Sequence, residues 1–379
     1  MNKHFFRKFW WVFAALLILT GTVTLPARTG SEGAYRVEAA PQKTTQTAGK
    51  EPEDKTSRAE VHFIDVGQGD ATLIVCDGHA MLIDTGDNDR GTALQLYLSK
   101  QGIKRLDYLV LTHPDADHIG GADVIITKFT IGNVFMADFK KDNKTYQKVI
   151  TALADKKLKW SVPRPGRVYT LGGGKFTILA PNGTYDDPNN ASIALLFQNG
   201  ATSFLFTGDA QEEAEQDILE NGLSVKADVY QAGHHGSDTS SCAEFLEAVD
   251  PDYAVISCEE GNSYGHPHAA VLNSLRAMGV SVFRTDEQGS IIARSDGTKI
   301  TWNSAPSDTW KAGERTGSGV QKQSAGTKGK GAYIGNKNNG KLHRATCEKL
   351  PQKENRAVFD TKKEAVDAGY DDPCKLCKP

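Results

Sequence analysis

Residues 108–111, Tyr-Leu-Val-Leu, form a continuous apolar run, which reads as a buried strand. The chain passes at once into Thr112-His113-Pro114-Asp115-Ala116-Asp117-His118, a loop with two imidazoles and two carboxylates within six positions. Carboxylates this close repel one another unless a positive charge lies among them. Neutral imidazole with carboxylate is an ordinary ligand set for zinc, manganese or iron. Capping a helix needs one such residue and not four, so metal binding is the reading that uses the whole cluster. Gly120 and Gly121 are then expected to turn the backbone tightly into the next helix.

Other polar groups of this kind also fall where apolar runs end. Residues 61–66 begin a strand, Gly67-Gln68-Gly69-Asp70 makes a turn, 71–75 returns, and 81–83 is a third strand ending at Asp84-Thr85-Gly86. Gln68 and Asp70 are of ordinary turn type. Residues 92–101 read as a helix closed by Gly102, and 145–157 as another. A strand at 175–179 precedes a hairpin of 193–197 and 203–206, whose second strand ends at Thr207-Gly208-Asp209. Asp209 there is either a plain turn residue or the cap of a helix over 211–219. Strand 229–232 leads into Gly233-His234-His235-Gly236-Ser237, and strand 254–257 into Asn262-Ser263-Tyr264-Gly265-His266-Pro267-His268. Strands near 280–283, 290–293 and 299–302 close the region. Strands first, then helix and strand in alternation, point to an α/β domain of two sheets covered by helices.

In this order the motifs resemble the metallo-β-lactamase superfamily, and within it the extracellular domain of ComEC-type DNA-uptake proteins. The resemblance is carried by Val66-Gly67-Gln68-Gly69-Asp70, Asp84-Thr85-Gly86, His113-x-Asp115-x-Asp117-His118, Asn189-Asn190-Ala191-Ser192, Asp209 and His266, across residues 59–303. It implies an αββα sandwich with its site at the strand ends, holding two divalent metals, zinc or manganese. It implies that His113, Asp115 and Asp209 hold one metal, and Asp117, His118, Asp209 and His266 the other. Asp84 is expected behind the site, orienting a ligand by a hydrogen bond, with Asn190 and Ser192 beside it where the superfamily usually has a further histidine. That replacement, with Asp115 in place of a second histidine, shifts the site toward oxygen ligands and brings manganese or magnesium level with zinc. The resemblance leaves Asp117 to orient the attacking water, and His234 or His235 to assist a leaving oxygen or hold a phosphate.

Outside this region the composition changes. Lys3, His4, Arg7 and Lys8 precede a charge-free, largely apolar run over 9–27, the pattern of an export signal or a single N-terminal membrane anchor, assigned to residues 1–40. Residues 41–58 are polar and read as a linker. The net charge is −3, so the chain as a whole is no polycation. Between 311 and 344, across a Gly- and Ser-rich linker assigned to 304–331 and the start of the next segment, eight Lys and Arg stand against Glu314. Residues 332–379 then carry His343-x3-Cys347-x26-Cys374-x2-Cys377, two close pairs of soft ligands suited to a closed structural zinc site. A domain of that size needs such a staple because its core is small. The segment resembles the Ada-type zinc-binding domain, with His343 where a cysteine usually stands. Cys76, Cys242 and Cys258 have no such spacing and read as small core residues.

The sequence therefore predicts an exported hydrolase, released or held at the cell surface, whose site holds two metals and whose tail holds a third. Phosphodiester cleavage in DNA is the expected activity. A lactone or a cell-envelope phosphodiester is the alternative substrate, and a DNA-binding uptake module is the alternative without catalysis. The membrane enters only through the N-terminal segment, and no protein partner is implied.

Overall fold

The computed structural model describes residues 57–313 and 333–375, apart from 346, 348, 360, 361 and 371. The export segment 1–40, nearly all of the linker 41–58, the basic stretch from 314 and Cys377 lie outside the described residues. Among the described residues no helix is long and apolar enough to cross a membrane.

In chain order the first strands are β1 (Ala59–Phe63), β2 (Thr72–Cys76), β3 (His79–Ile83), β4 (Arg105–Leu111), β5 (Thr130–Met136), β6 (Trp160–Ser161), β7 (Val168–Leu171) and β8 (Gly174–Ile178). They are followed by β9 (Leu195–Asn199), β10 (Thr202–Phe206), β11 (Val229–Gln231), β12 (Tyr253–Ile256), β13 (Ser281–Arg284), β14 (Ile291–Ser295) and β15 (Ile300–Trp302). One sheet has the order β15-β14-β1-β2-β3-β4-β5-β6, and the other β13-β12-β11-β10-β9-β8-β7. Successive side chains on a strand point to opposite faces, so strands buried on both faces must be apolar throughout. Val61, Phe63, Ile74, Met81 and Val110 of the first sheet meet Leu195, Phe197, Phe204, Phe206 and Val255 of the second in one inner core. Leu73, Leu82, Leu109 and Leu111 face outward, onto the helices Gly91–Lys100, Ala122–Lys128 and Lys144–Asp155. Leu196, Leu205, Ala254 and Ile256 likewise face the helices Glu212–Glu220, Ala243–Val249 and Ala269–Ala277. The layers are thus helix, sheet, sheet, helix, as the sequence predicts.

This topology positions the site. β3, β4 and β5 run parallel, as do β10, β11, β12 and β13. Their carboxyl ends lie along one edge of each sheet, where open parallel sheets carry their ligands. Asp84, the loop 112–118, Asp209, the loop 233–236 and the loop 257–268 all leave from these ends.

Three local expectations are corrected. Gly120 and Gly121 make no left-handed turn, since their φ/ψ values are −61/−36° and −86/−3°. They are small because the backbone leaves no room. A Cβ on Gly120 would fall on Asn88 N, Ala116 O and Asp87 C, and one on Gly121 on Thr85 O and the Gly91 backbone. β5 and β7 are strands the sequence reading passed over, because the Gly132-Asn133 half of β5 is exposed or edge-like and breaks the apolar pattern. Residues 304–313, assigned by composition to the linker, lie against the sandwich instead. Ser307 N donates to Val282 O at 2.7 Å, and Trp310 and Ala312 pack on the outer core of the second sheet.

Residues 333–375 form a separate four-stranded sheet of β16 (Tyr333–Asn336), β17 (Lys341–Arg344), β18 (Arg356–Phe359) and β19 (Asp372–Pro373), in the order β18-β16-β17-β19.

Gly121→Ala forces backbone against backbone and is predicted to cost about 3 kcal/mol or more of stability. Gly183→Ala, whose Cβ finds no atom nearer than 3.5 Å, serves as the neutral comparison. Chemical denaturation of the two variants checks this, and equal midpoints would refute it.

Candidate metal centre

Asp70, His118, Asp209 and His235, all buried, each present a ligand atom within 4.8 Å of the others. His118 Nε2 is 3.1 Å from Asp209 Oδ1, and His235 Nε2 is 3.6 Å from Asp209 Oδ2 and 3.3 Å from Asp117 Oδ2. His113 Nε2 lies 3.8 Å from Asp209 Oδ2, its ring 4.1 Å from that of His118. Asp209 is therefore central. It does not cap the helix Glu212–Glu220, whose N-cap position is Gln211.

The far side of each imidazole is fixed. Asp84 accepts from His118 Nδ1 at 2.8 Å and from Thr112 N and Oγ1 at 2.8 and 2.6 Å. Ser257 O accepts from His235 Nδ1 at 3.0 Å. An acceptor behind each ring places the proton on Nδ1 and turns Nε2 toward the cluster. The two Nε2 atoms nevertheless lie only 3.3 Å apart. If both are bare their lone pairs oppose, and a proton or a cation between them is needed. A divalent cation at this place satisfies both nitrogens and the carboxylates at once. Asp70 Oδ1 and His113 Nε2 are in addition buried polar atoms with no hydrogen-bond partner, a costly state that metal coordination relieves. The donor set of carboxylates and imidazoles fits divalent zinc or manganese.

The electrostatics agree. Burial is the largest influence on His118 and His235 and lowers both. Asp209 and Asp84 around the first, and Asp209, Asp117 and Asp70 around the second, outweigh it and carry both well above the ordinary imidazole value. Burial likewise acts to raise Asp209 and Asp117, but the neighbouring imidazoles hold both well below the usual carboxylate range. The carboxylates thus demand positive charge among them, as protons or as a cation. Burial, with His118 beside it, pushes His113 down to about 3. Burial, with His235 and His234 nearby, does the same to His266.

The remaining predicted residues divide. Ser192 Oγ lies 3.3 Å from His113 Nδ1 and accepts from Asp209 N at 3.2 Å, so it stands behind both. Asn190 does not face the cluster; it bridges Glu213 Oε2 and Gln211 N. Asp115 forms an ion pair with Lys141 and is absent from the converging set of four. His266 sits at the rim, its ring stacked on Tyr264 and 5.6 Å from that of His234, with Gln68 Nε2 3.4 Å from its Nδ1. His234 and His235 are both left-handed, with φ of 52° and 57°, a conformation rare for side-chain-bearing residues and typical of functional strain. The pair diverges. His235 is buried in the cluster, whereas His234 is half-buried, with Nδ1 on Thr239 Oγ1 at 2.8 Å and Nε2 3.6 Å from Asp209.

Sequence reasoning missed Asp70 as a member of the cluster. Its approach depends on Gly69, where a Cβ would overlap Asp117 O, and on a hydrogen bond from Asp70 N to Asp117 O. The available sign was a carboxylate in a turn doubly relieved by glycine.

In the C-terminal sheet His343, Cys347 and Cys374 bring ligand atoms within 4.8 Å of one another, all three buried. His343 Nδ1 is 3.4 Å from Cys347 Sγ. Cys76 and Cys258 are buried in the cores as expected, and Cys242 is half-buried.

A family model of the metallo-beta-lactamase superfamily matches residues 64–259. The chain belongs to the metallo-beta-lactamase superfamily. Residues 320–379 match the metal binding domain of Ada. The chain is 32% identical over 257 residues to ComE operon protein 3 of Bacillus subtilis (strain 168), a match that covers 62% of this chain and 33% of that protein. It is 35% identical over 238 residues to Recombination protein 2 of Haemophilus influenzae, covering 61% of this chain and 28% of that protein. It is 31% identical over 280 residues to Competence protein ComA of Neisseria gonorrhoeae, covering 73% and 35%. The chain spans about a third of the length of these relatives.

Two predictions follow from the geometry. Asp84→Asn removes the charge behind His118 and is expected to weaken manganese or zinc binding about 10- to 100-fold in calorimetric titration; unchanged affinity would remove Asp84 from the metal centre. Cys374→Ser is expected to lower the zinc content of purified protein by one ion per chain while leaving the binding measured at the Asp209 cluster intact. Unaltered stoichiometry would argue against zinc in the tail.

Proposed function

We propose that this chain is an exported, binuclear metal-dependent phosphodiesterase that acts on DNA. The observation that carries the hydrolytic reading is the convergence of Asp70, His118 and His235 on Asp209. The choice of DNA is supported by the names of the relatives, one a recombination protein and one a competence protein. It is supported also by the eight basic residues between 311 and 344, since lysine and arginine neutralise phosphates and raise affinity for polyanions. That stretch continues in sequence from Gly313, whose N–H donates to Pro267 O at 2.9 Å beside His266. Export rests on the basic and then apolar N-terminus.

In this proposal Asp70, His118, Asp209 and His235 hold one metal. His113, Asp209 and His266 would contribute to holding the other. Divalent metals, when bound, supply Lewis acidity and a water that is deprotonated at neutral pH. Asp117, 3.3 Å from His235 Nε2 and open enough to meet substrate, orients that water. His235 is committed to the cluster, so His234 is the imidazole left for the leaving oxygen. Burial lowers its pKa, Asp209 offsets part of this, and His235 and His118 add to the lowering, which favours the neutral ring. Thr239 orients its Nδ1, so Nε2 can offer a hydrogen bond to a phosphoryl or leaving oxygen. Lys141, paired with Asp115, adds a positive charge at the rim.

The test is cleavage of linear DNA by the full chain loaded with manganese, beside Asp209→Asn and His234→Ala. We predict that Asp209→Asn abolishes cleavage and that His234→Ala lowers kcat about 100-fold with metal content unchanged. No cleavage by fully loaded parent protein would sink the DNA reading and direct the assay to lactones and envelope phosphodiesters.

A further inference from the structure

Residues 304–313 cross from the end of β15 toward the metal edge without helix or strand, yet they are held along their length. Gln288 Nε2 donates to Ala305 O at 2.6 Å. Ser307 N reaches Val282 O on β13, the edge strand of the second sheet, and the Ser307 and Thr309 hydroxyls donate to Glu287 at 2.5 and 2.6 Å. The Arg284 guanidinium, itself held by Asp286 and Glu287, donates to Lys311 O. Trp310 packs on the apolar core with the Arg276 guanidinium 5.6 Å from its ring. Trp310 also adopts a φ of 49°, which a bulky residue keeps only where its surroundings enforce it. A linker that merely spans two domains has no need of these restraints.

The restraints end at the metal centre. Gly313 N donates to Pro267 O, and the Gly313 backbone lies so close to His266 that a Cβ would overlap its carbonyl oxygen and carbon and the Gly265 carbon. From the other side Asn262 Oδ1 accepts from the N–H groups of Tyr264, Gly265 and His266, and Asn262 Nδ2 donates to His266 O at 2.7 Å. The His266 peptide is clamped between Asn262 and Gly313, which fixes where its ring can stand among Gln68, His234 and Tyr264.

We infer that the strap 304–313 sets the position of His266, and that Gly313 is a positioning residue for the metal centre. A side chain at 313 meets backbone on every near side, so the His266 loop must move to admit it. The inference rests on the reading of His266 as a metal ligand. It makes metal binding at the rim depend on ten residues that follow the last strand of the sandwich.

The experiment uses the full chain and four variants: Gly313→Val, His266→Ala, the double variant and Trp310→Ala, which loosens the strap without touching His266. Manganese affinity is measured by calorimetry, and the visible spectrum of the cobalt-loaded protein reports the ligand field. Circular dichroism establishes that each variant is folded. His266→Ala is expected to weaken binding of the second ion. Gly313→Val is expected to weaken the same ion about tenfold and shift the cobalt spectrum, and the double variant to bind no more weakly than His266→Ala alone. Trp310→Ala is expected to change both readouts in the same direction by less, and it decides the matter if Gly313→Val does not fold. Unchanged binding in His266→Ala would overturn the ligand reading itself. Weakened binding in His266→Ala with parental binding in the strap variants, or an additive loss in the double variant, would overturn the strap's role alone.

Discussion

The conflict around Asp209 is what the rest of the molecule serves. Two imidazoles, each held by an acceptor at Nδ1, aim their Nε2 atoms at the same carboxylate and come within 3.3 Å of each other. Buried charges and lone pairs of this kind are stable only with positive charge among them. The fold commits strand ends from both sheets to the arrangement. Asp84 follows β3 and His118 the loop after β4, while Asp209 follows β10 and His235 the loop after β11. Neither sheet alone carries the set, so the inner core that joins the sheets also determines whether the metal ligands meet.

The segments that build the site approach one another at backbone distance, and glycine makes room for several of these contacts. Gly69 admits the Asp117 carbonyl, which brings Asp70 to the cluster. Gly120 and Gly121 admit the loop that follows Asp84. Gly313 admits the His266 carbonyl. In each case a methyl group would push apart two segments that build or support the site. The strained pair His234 and His235 belongs to the same economy of space, because two successive left-handed residues send one ring into the cluster and leave the other at its mouth.

Much of this was readable from the chain before any coordinates. The layers were, because strands with apolar residues on both faces must be covered on both faces. So was the position of Asp84 behind a histidine, through the Asp-Thr-Gly strand end and the motif order. Asp70 was not, since a carboxylate in a Gly-Gln-Gly-Asp turn is locally indistinguishable from an ordinary turn residue. The pairing of Asp115 with Lys141 was not either, because the two are 26 positions apart and meet only through the loop after β5, a strand whose exposed Gly-Asn half hides it. Asn190 carried the right position but bonds to Glu213 and Gln211 rather than to the cluster. Composition also misassigned 304–313, whose single tryptophan outweighs its polar neighbours once a core is available to receive it.

The sequence by itself determined the chemistry: which side chains can bind metal, their order, and the strands that present them. Those properties are local, written in residue type and in the period of apolar positions. The tertiary structure alone decided which carboxylates converge, which of two adjacent histidines enters the cluster, and that a stretch rich in small polar residues closes against His266. These depend on distances between segments far apart in the chain, and such distances are set by packing between the sheets and by backbone contact rather than by any one stretch of sequence.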